Sequence, residues 1–408
     1  MLCFTSGKMA IALNDKVLPS ESENQDSVQT GYLGPTPLTG KPPMKAERTW
    51  VDRPEQLLDA VDILKQAKVV AVDAEFSQVR SRAQGDVQTS SHRMALLQLA
   101  IEGRCFVVDT LRLSDLSPLA AVVADPAIVV LLHGAGADMR VMAERGLAVV
   151  HYYDLEATSR SIFGQNESSL AAMLHRAFNI RLDKSLQRTD WARRPLPPAM
   201  VAYAARDAEM TLALYHWLDQ YYAWALRLHE NTSQPEPVAA WIEPFLRGTA
   251  IVSPEVAVAV AKAQGTILDD AQISADCRAA LAILIHPMRR NRLLRLIADL
   301  SLVQLVPDIE PLLQAPTADE RAASARALGR LGVKQAKPLI QPLLQDPVQD
   351  VRKAAQTALR SLGDKEVRPP TLPATRLADG ARSWSVGEAN DAGNENDWKA
   401  RLRAMMGE

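Results

Sequence analysis

The spacing of apolar residues changes repeatedly along this 408-residue chain, and each change marks a different kind of segment. Residues 14–48 mix Ser, Pro, Gly, Thr, Asn and Gln with no helix or strand period, which predicts a disordered lead over 1–49. Order is expected from about Trp50. Pro54 opens an amphipathic helix to about Lys65, with Leu57, Leu58, Val61 and Leu64 on one side. Lys68–Phe76 is a β-branched, apolar run and reads as a buried strand. Met94–Ile101 and Arg104–Asp109 follow as strands, split by the turn-forming Glu102-Gly103. Helical spacing over Leu116–Ala124, a strand over Ala127–His133, a helix over Asp138–Arg145 and a strand over Leu147–Tyr153 come next. From Leu155 to about Leu228 helical spacing dominates. Three adjacent strands, then alternation, then helices predict an α/β domain over 50–228, a mixed sheet flanked by helices.

The polar, Pro-containing stretch Glu230–Pro237 breaks the pattern. Beyond it the chain is Ala- and Leu-rich and helical in spacing, a connector over 229–304. Residues 305–366 then repeat. Ile309-Glu310-Pro311-Leu312-Leu313-Gln314 aligns with Ile340-Gln341-Pro342-Leu343-Leu344-Gln345. The same offset pairs Asp319 with Asp350, Arg321 with Arg352, Leu328 with Leu359, and Gly332 with Gly363. Each 31-residue unit, the spacing from Gly332 to Gly363, gives a helix, a Pro-containing turn and a second helix. The units resemble short HEAT-type repeats, which implies an all-α solenoid and an extended surface open to a protein partner. The apolar segment around Leu293–Leu305 is the candidate third layer. Residues 367–408 return to Pro, Gly, Asn and Asp, a mostly disordered tail with a short helix near Asp397–Met405.

Composition narrows the class. Hydrophobic residues make up 47% and the net charge is −2, so attraction for phosphate has to be local. Apolar runs such as Ala127–Leu132 are too short to span a bilayer, and no membrane association is expected. Cys3, Cys105 and Cys277 are scattered and form neither a disulfide framework nor a zinc site. Met1–Leu13 lacks a secretory pattern, and acids come early at Asp15 and Glu21. These features favour the cytoplasm.

The chemistry lies in carboxylates. Strand alternation points Asp73 and Glu75 to the same face. Two acids side by side on a core strand repel unless a cation lies between them, which suits a hard divalent ion; the alternative is a hydrated strand end. Asp138 follows a buried strand ending at His133 and a small-residue turn, where it serves as a ligand or as a helix cap. Tyr203 and Asp207 are four apart and share one face of a helix.

In combination these elements resemble the DEDD exonuclease superfamily, its tyrosine-bearing branch, and ribonuclease D most closely. That family carries Asp-x-Glu on a strand, Asp after a His-containing strand end, and Tyr-x-x-x-Asp on a helix. The segment Leu182–Leu196 resembles the family's stretch ahead of the Tyr motif. The resemblance covers about residues 50–220. It implies an RNase H-like fold and a 3′→5′ exonuclease with Asp73, Glu75, Asp138, Tyr203 and Asp207 as catalytic residues. The four acids would hold two divalent ions, Mg²⁺ or Mn²⁺, ~4 Å apart. Asp73 would bridge them and Tyr203 would orient the attacking water. The long polar segment Gln78–His92 and the HEAT-like region depart from the family pattern.

Substrate contacts are expected from Phe76, Gln98 and His133 at strand ends, and from Lys184, Arg188 and Arg194 as a phosphate clamp. Core packing competes for Phe76, and a solvated loop for the arginines. A second cluster, Arg289, Arg290, Arg292 and Arg295, extends the nucleic-acid path or forms the polar side of a solenoid helix. The expected partner is a nucleic-acid 3′ end, with RNA such as a tRNA precursor preferred over DNA. A scaffold built on a dead nuclease should have lost one of the acids, and none is missing.

Overall fold

The computed structural model describes residue 40 and residues 46–82, 88–182, 189–231 and 236–363. Most of the expected lead, the tail over 367–408, and both Lys184 and Arg188 lie outside the described residues.

The first part runs β1 (Glu47–Val51), α1 (Pro54–Leu64), β2 (Val69–Arg82), β3 (Gln88–Ile101), β4 (Arg104–Asp109), α2 (Ala120–Val123), β5 (Val129–Leu132), α3 (Gly136–Glu144), β6 (Tyr152–Asp154), α4 (Leu155–Phe163), α5 (Leu170–Phe178), α6 (Pro198–Leu228) and β7 (Glu230–Asn231). The sheet order is β1-β4-β3-β2-β5-β6-β7, with β2–β3, β3–β4 and β6–β7 antiparallel and the other pairs parallel. This is the mixed sheet expected. Helices cover both faces. Val70, Val72, Leu97 and Leu99 pack with α1, α2 and α3 on one side. Ala71, Leu96 and Ala100 pack with α4, α5 and α6 on the other. Strand alternation carries the Ala71 face on to Asp73 and Glu75, so both acids lie under α6.

Some boundaries differ from the sequence reading. β1 starts at Glu47 because its backbone joins β4 in parallel, from Glu47↔Arg104 to Val51↔Val108. The described parts of the polar segment, residues 78–82 and 88–92, are not free loop. The β2–β3 ladder extends over them from Gln78↔His92 to Arg82↔Gln88, a pairing that needs no apolar face. The strand expected at Leu147–Tyr153 shrinks to Tyr152–Asp154, since Leu147 N–H and Val150 N–H bond instead to Met142 and Val123 carbonyls. β7 pairs with β6 where a break was expected.

The second part is helical: α7 (Glu243–Arg247), α8 (Pro254–Ala263), α9 (Asp270–Ile283), α10 (Pro287–Asp299), α11 (Val306–Ile309), α12 (Ala318–Arg330), α13 (Lys337–Ile340) and α14 (Gln349–Ser361). In each repeat the first helix is short and passes into a 3-10 segment, Glu310–Gln314 or Gln341–Gln345. Pro311 and Pro342 stand there and lack the donors an α-helix needs. The repeated arginine has one role in both units. Arg321 Nη1 donates to the Ala315 and Pro316 carbonyls, and Arg352 Nη1 to those of Asp346 and Pro347. α12 lies so close to α14 that a Cβ on Gly329 would meet Ala358 Cα at 2.6 Å. α10 packs on α12, as expected of the third layer. Among the described residues no helix is long and apolar enough to cross a membrane.

Candidate active site

Asp73 and Glu75 project from β2 toward α6, and Asp207 projects back from α6. Carboxylate oxygens of these three lie within 4.8 Å of one another. A register shift in the β2–β3 ladder falls between Glu75 and Phe76, where β2 leaves the site. Asp138 stands just outside this group, buried in the first turn of α3. Its position follows from the sheet. β5 pairs with β2 only as far as Ala71↔Leu131, so the backbone of Ala74 is free on that edge. The Asp138 carboxylate accepts a hydrogen bond from the Ala74 backbone and one from its own.

The electrostatics are those of crowded anions. Burial, then the charges of Asp138, Asp207 and Glu75, raise Asp73 well above the usual carboxylate range. Burial, then Asp207 and Asp138, push Glu75 up to about 8. Burial pushes Asp138 up to about 7 against its backbone hydrogen bonds. Every influence on Asp73 and Glu75 acts in the same direction, and no described side-chain cation offsets it. An all-oxygen, anionic donor set of this kind fits a hard divalent cation.

Tyr203 lies one turn before Asp207 on α6 and shares a side-chain hydrogen bond with it. Burial and the Asp207 and Glu75 charges hold its phenol protonated beyond the usual tyrosine range. Its ring sits 6.1 Å from that of Trp191, which is buried in the core.

The expected substrate contacts fare differently. His133 donates from Nε2 to the Ser168 carbonyl at 3.1 Å, so its ring is committed to the fold. Gln98 is fully buried beside Asp73 in the ladder rather than presented at a strand end. Phe76 is half-buried against the α1–α3 core. Arg194, expected to contact phosphate, makes a two-pronged ion pair with the fully buried Asp109. Arg289 pairs with Glu236 and Glu243, Arg290 with Glu320, and Arg292 with the Leu246 carbonyl, while Arg295 stands exposed beside Asp299.

The sequence reading missed the supports behind the site. Asp154 caps α4 through Glu156 N–H and Ala157 N–H. The same carboxylate holds Gly134 N–H and Ala135 N–H, which fixes the turn ahead of Asp138. An Asp just before a helix was a legible cap signal, but its second grip was not.

The family model described as 3′-5′ exonuclease matches residues 48–221, and a HEAT-repeat model matches 306–383. The exosome complex exonuclease RRP6 of Saccharomyces cerevisiae is 36% identical over 171 residues, 41% of this chain and 22% of that protein. Ribonuclease D of Haemophilus influenzae is 29% identical over 165 residues, 40% of this chain and 39% of that one. The match thus spans well under half the length of either relative. The solved catalytic core of RRP6 from Trypanosoma brucei is 20% identical with a TM-score of 0.41, covering 80% of this chain and 83% of that one. Residues 48–221 are thus similar to the 3′-5′ exonuclease family and to parts of RRP6 and ribonuclease D, and residues 306–383 to HEAT repeats.

Proposed function

We propose that the chain is a divalent-metal-dependent 3′→5′ exoribonuclease that trims structured RNA ends, tRNA precursors among them, and releases nucleoside 5′-monophosphates. The observation that carries the reading is the set of converging carboxylates, Asp73, Glu75 and Asp207, with Asp138 beside them. A relative named ribonuclease D supports RNA over DNA.

Asp73, Glu75, Asp138 and Asp207 would hold two ions, Mg²⁺ or Mn²⁺. Asp73 would be the central ligand of the set, buried and repelled by Asp138, Asp207 and Glu75 together. When bound, the ions supply Lewis acidity to the attacking water and the departing 3′ oxygen. Water oxygen bonds to phosphorus, the P–O3′ bond breaks, and the departing oxygen takes up a proton. Tyr203, held by Asp207, orients the water through its hydroxyl while remaining protonated.

The test is a single-stranded oligoribonucleotide and the matched oligodeoxyribonucleotide, each labelled at the 5′ end and incubated with Mg²⁺ or Mn²⁺. Stepwise shortening of the RNA with release of 5′-monophosphates is expected. Preferential shortening of the DNA would replace RNA by DNA as substrate. No shortening of either would sink the reading.

A further inference from the structure

The two repeats spend the same position on the nuclease domain. Asp319 and Asp350 are repeat equivalents, each in the first turn of its unit's second helix. Asp319 accepts from Ser161 Oγ of α4 at 2.9 Å. Asp350 accepts the Gln165 N–H at 2.7 Å, in the 3-10 turn Gln165–Glu167. Next to it, Asn166 Nδ2 donates to Gln349 Oε1 at 2.8 Å. The fit between the parts is close. A Cβ on Gly164, whose φ is +87°, would meet Val348 at 2.7 Å and Asp350 at 3.1 Å.

That turn leads straight to the carboxylate site. Ser168 is fully buried and its hydroxyl donates to the Gln165 carbonyl, which ties the turn closed. The Ser168 carbonyl holds His133. His133 follows β5 and leads into the Gly134–Ala135 turn, which Asp154 fixes. One helical turn later the chain delivers Asp138. Contacts therefore run without a gap from the repeat aspartates to the acid supplied by α3.

We propose that the HEAT repeats are a positioning element for the metal site: docked through Asp319 and Asp350, they hold the α4–Ser168 corner against His133 and so fix Asp138. Asp319, Asp350 and His133 are positioning residues, acting through the fold and touching no substrate. The docking face of the repeats is thereby taken by the chain's own nuclease domain. A partner that engaged this face would have to release the nuclease and would lower its activity. The proposal rests on the metal-site reading above, because what is positioned is a metal ligand.

The experiment uses the full chain and compares wild type with the double variant Asp319→Ala/Asp350→Ala and with the wedge Gly164→Val. Mn²⁺ affinity is read by calorimetry, kcat and KM on an oligoribonucleotide, and docking by hydrogen exchange over residues 160–168. Groups that orient metal ligands typically change affinity by about tenfold or more. The expected result is faster exchange at 160–168, Mn²⁺ affinity and kcat each down by about tenfold, and KM for RNA unchanged. His133→Gln should lower Mn²⁺ affinity similarly and add little in the double-variant background, the signature of a shared path. Faster exchange with wild-type Mn²⁺ affinity and kcat would overturn the proposal. Unchanged exchange in both variants would overturn it too, since these contacts would then not hold the repeats. Failure of the wild type itself to bind Mn²⁺ would be a separate result, sinking the metal-site reading and this inference with it.

Discussion

Arg194 and Asp109 form a two-pronged pair, with Nε and Nη2 each 2.7 Å from one carboxylate oxygen. Asp109 is fully buried at the end of β4, and Arg194 reaches it from 85 positions away in sequence. The same guanidinium donates to the Trp191 and Ala95 carbonyls. It fastens the stretch ahead of α6 to the sheet. Arg194→Ala leaves the buried carboxylate with only the Leu111 and Arg112 N–H groups and the Arg112 guanidinium at 4.0 Å, a loss of up to about 3 kcal/mol. Chemical denaturation should show that loss, and Arg194→Lys should restore only part of it, since an ammonium cannot fork. The salt dependence of RNA binding should keep its slope. A slope reduced by about one, with stability intact, would return Arg194 to a phosphate role.

That case shows where sequence reading stops. The β2 run Val-Val-Ala-Val-Asp-Ala-Glu fixes which face Asp73 and Glu75 share, because alternation is local. The repeat was legible for the same reason: Arg321 and Arg352 bond to carbonyls five and six residues upstream. A polar residue near the site is different. Whether Arg194 meets a phosphate or Asp109, or His133 a base or the Ser168 carbonyl, depends on neighbours 85 and 35 positions away. The pairing of 78–82 with 88–92 was missed because it is backbone pairing, which side-chain periodicity does not report.

Removing a site acid should trade activity for stability. Asp207→Asn deletes one of the charges that raise Asp73 and Glu75. Metal-assisted transition-state stabilisation is worth several kcal/mol, so activity should fall by roughly 10³-fold. Without divalent ions at about pH 8, the variant should melt at a higher temperature than wild type, because repulsion is relieved. Asp73→Asn should behave alike. Full Mn²⁺-dependent activity in both variants would refute the assignment of these residues.

The raised carboxylates also set a pH dependence with a definite sign. Glu75 moves from 4.5 to about 8, and Asp138 from 3.8 to about 7. Between those limits the folded, metal-free protein holds protons that the unfolded chain has released. Their contribution is fully present below the unfolded values and is lost as pH rises through the folded ones. The slope is about −1.4 kcal/mol per pH unit for each group. A divalent ion must displace these protons, so its binding strengthens with pH. Melting curves with and without Mn²⁺ from about pH 6 to about pH 9 should show a metal-induced rise that grows with pH. A rise that shrinks over that range would contradict the proton count.

Tyr203 provides the sharpest separation of binding from chemistry. Its hydroxyl bonds to Asp207, and burial with the nearby charges keeps it protonated above the usual tyrosine range. It is thus a hydrogen-bonding group over the whole working range of pH, not a base that titrates within it. Tyr203→Phe keeps the ring beside Trp191 and removes only the hydroxyl. The carboxylates stay in place, so Mn²⁺ affinity by calorimetry should change little. Loss of water orientation should lower kcat by about 10²-fold, with KM for RNA nearly unchanged. The pH–rate profile of wild type should show no limb from this phenol below about pH 10. Equal losses in Mn²⁺ affinity and kcat would mean that Tyr203 serves the acids rather than the water, and the proposed division of labour on α6 would fall.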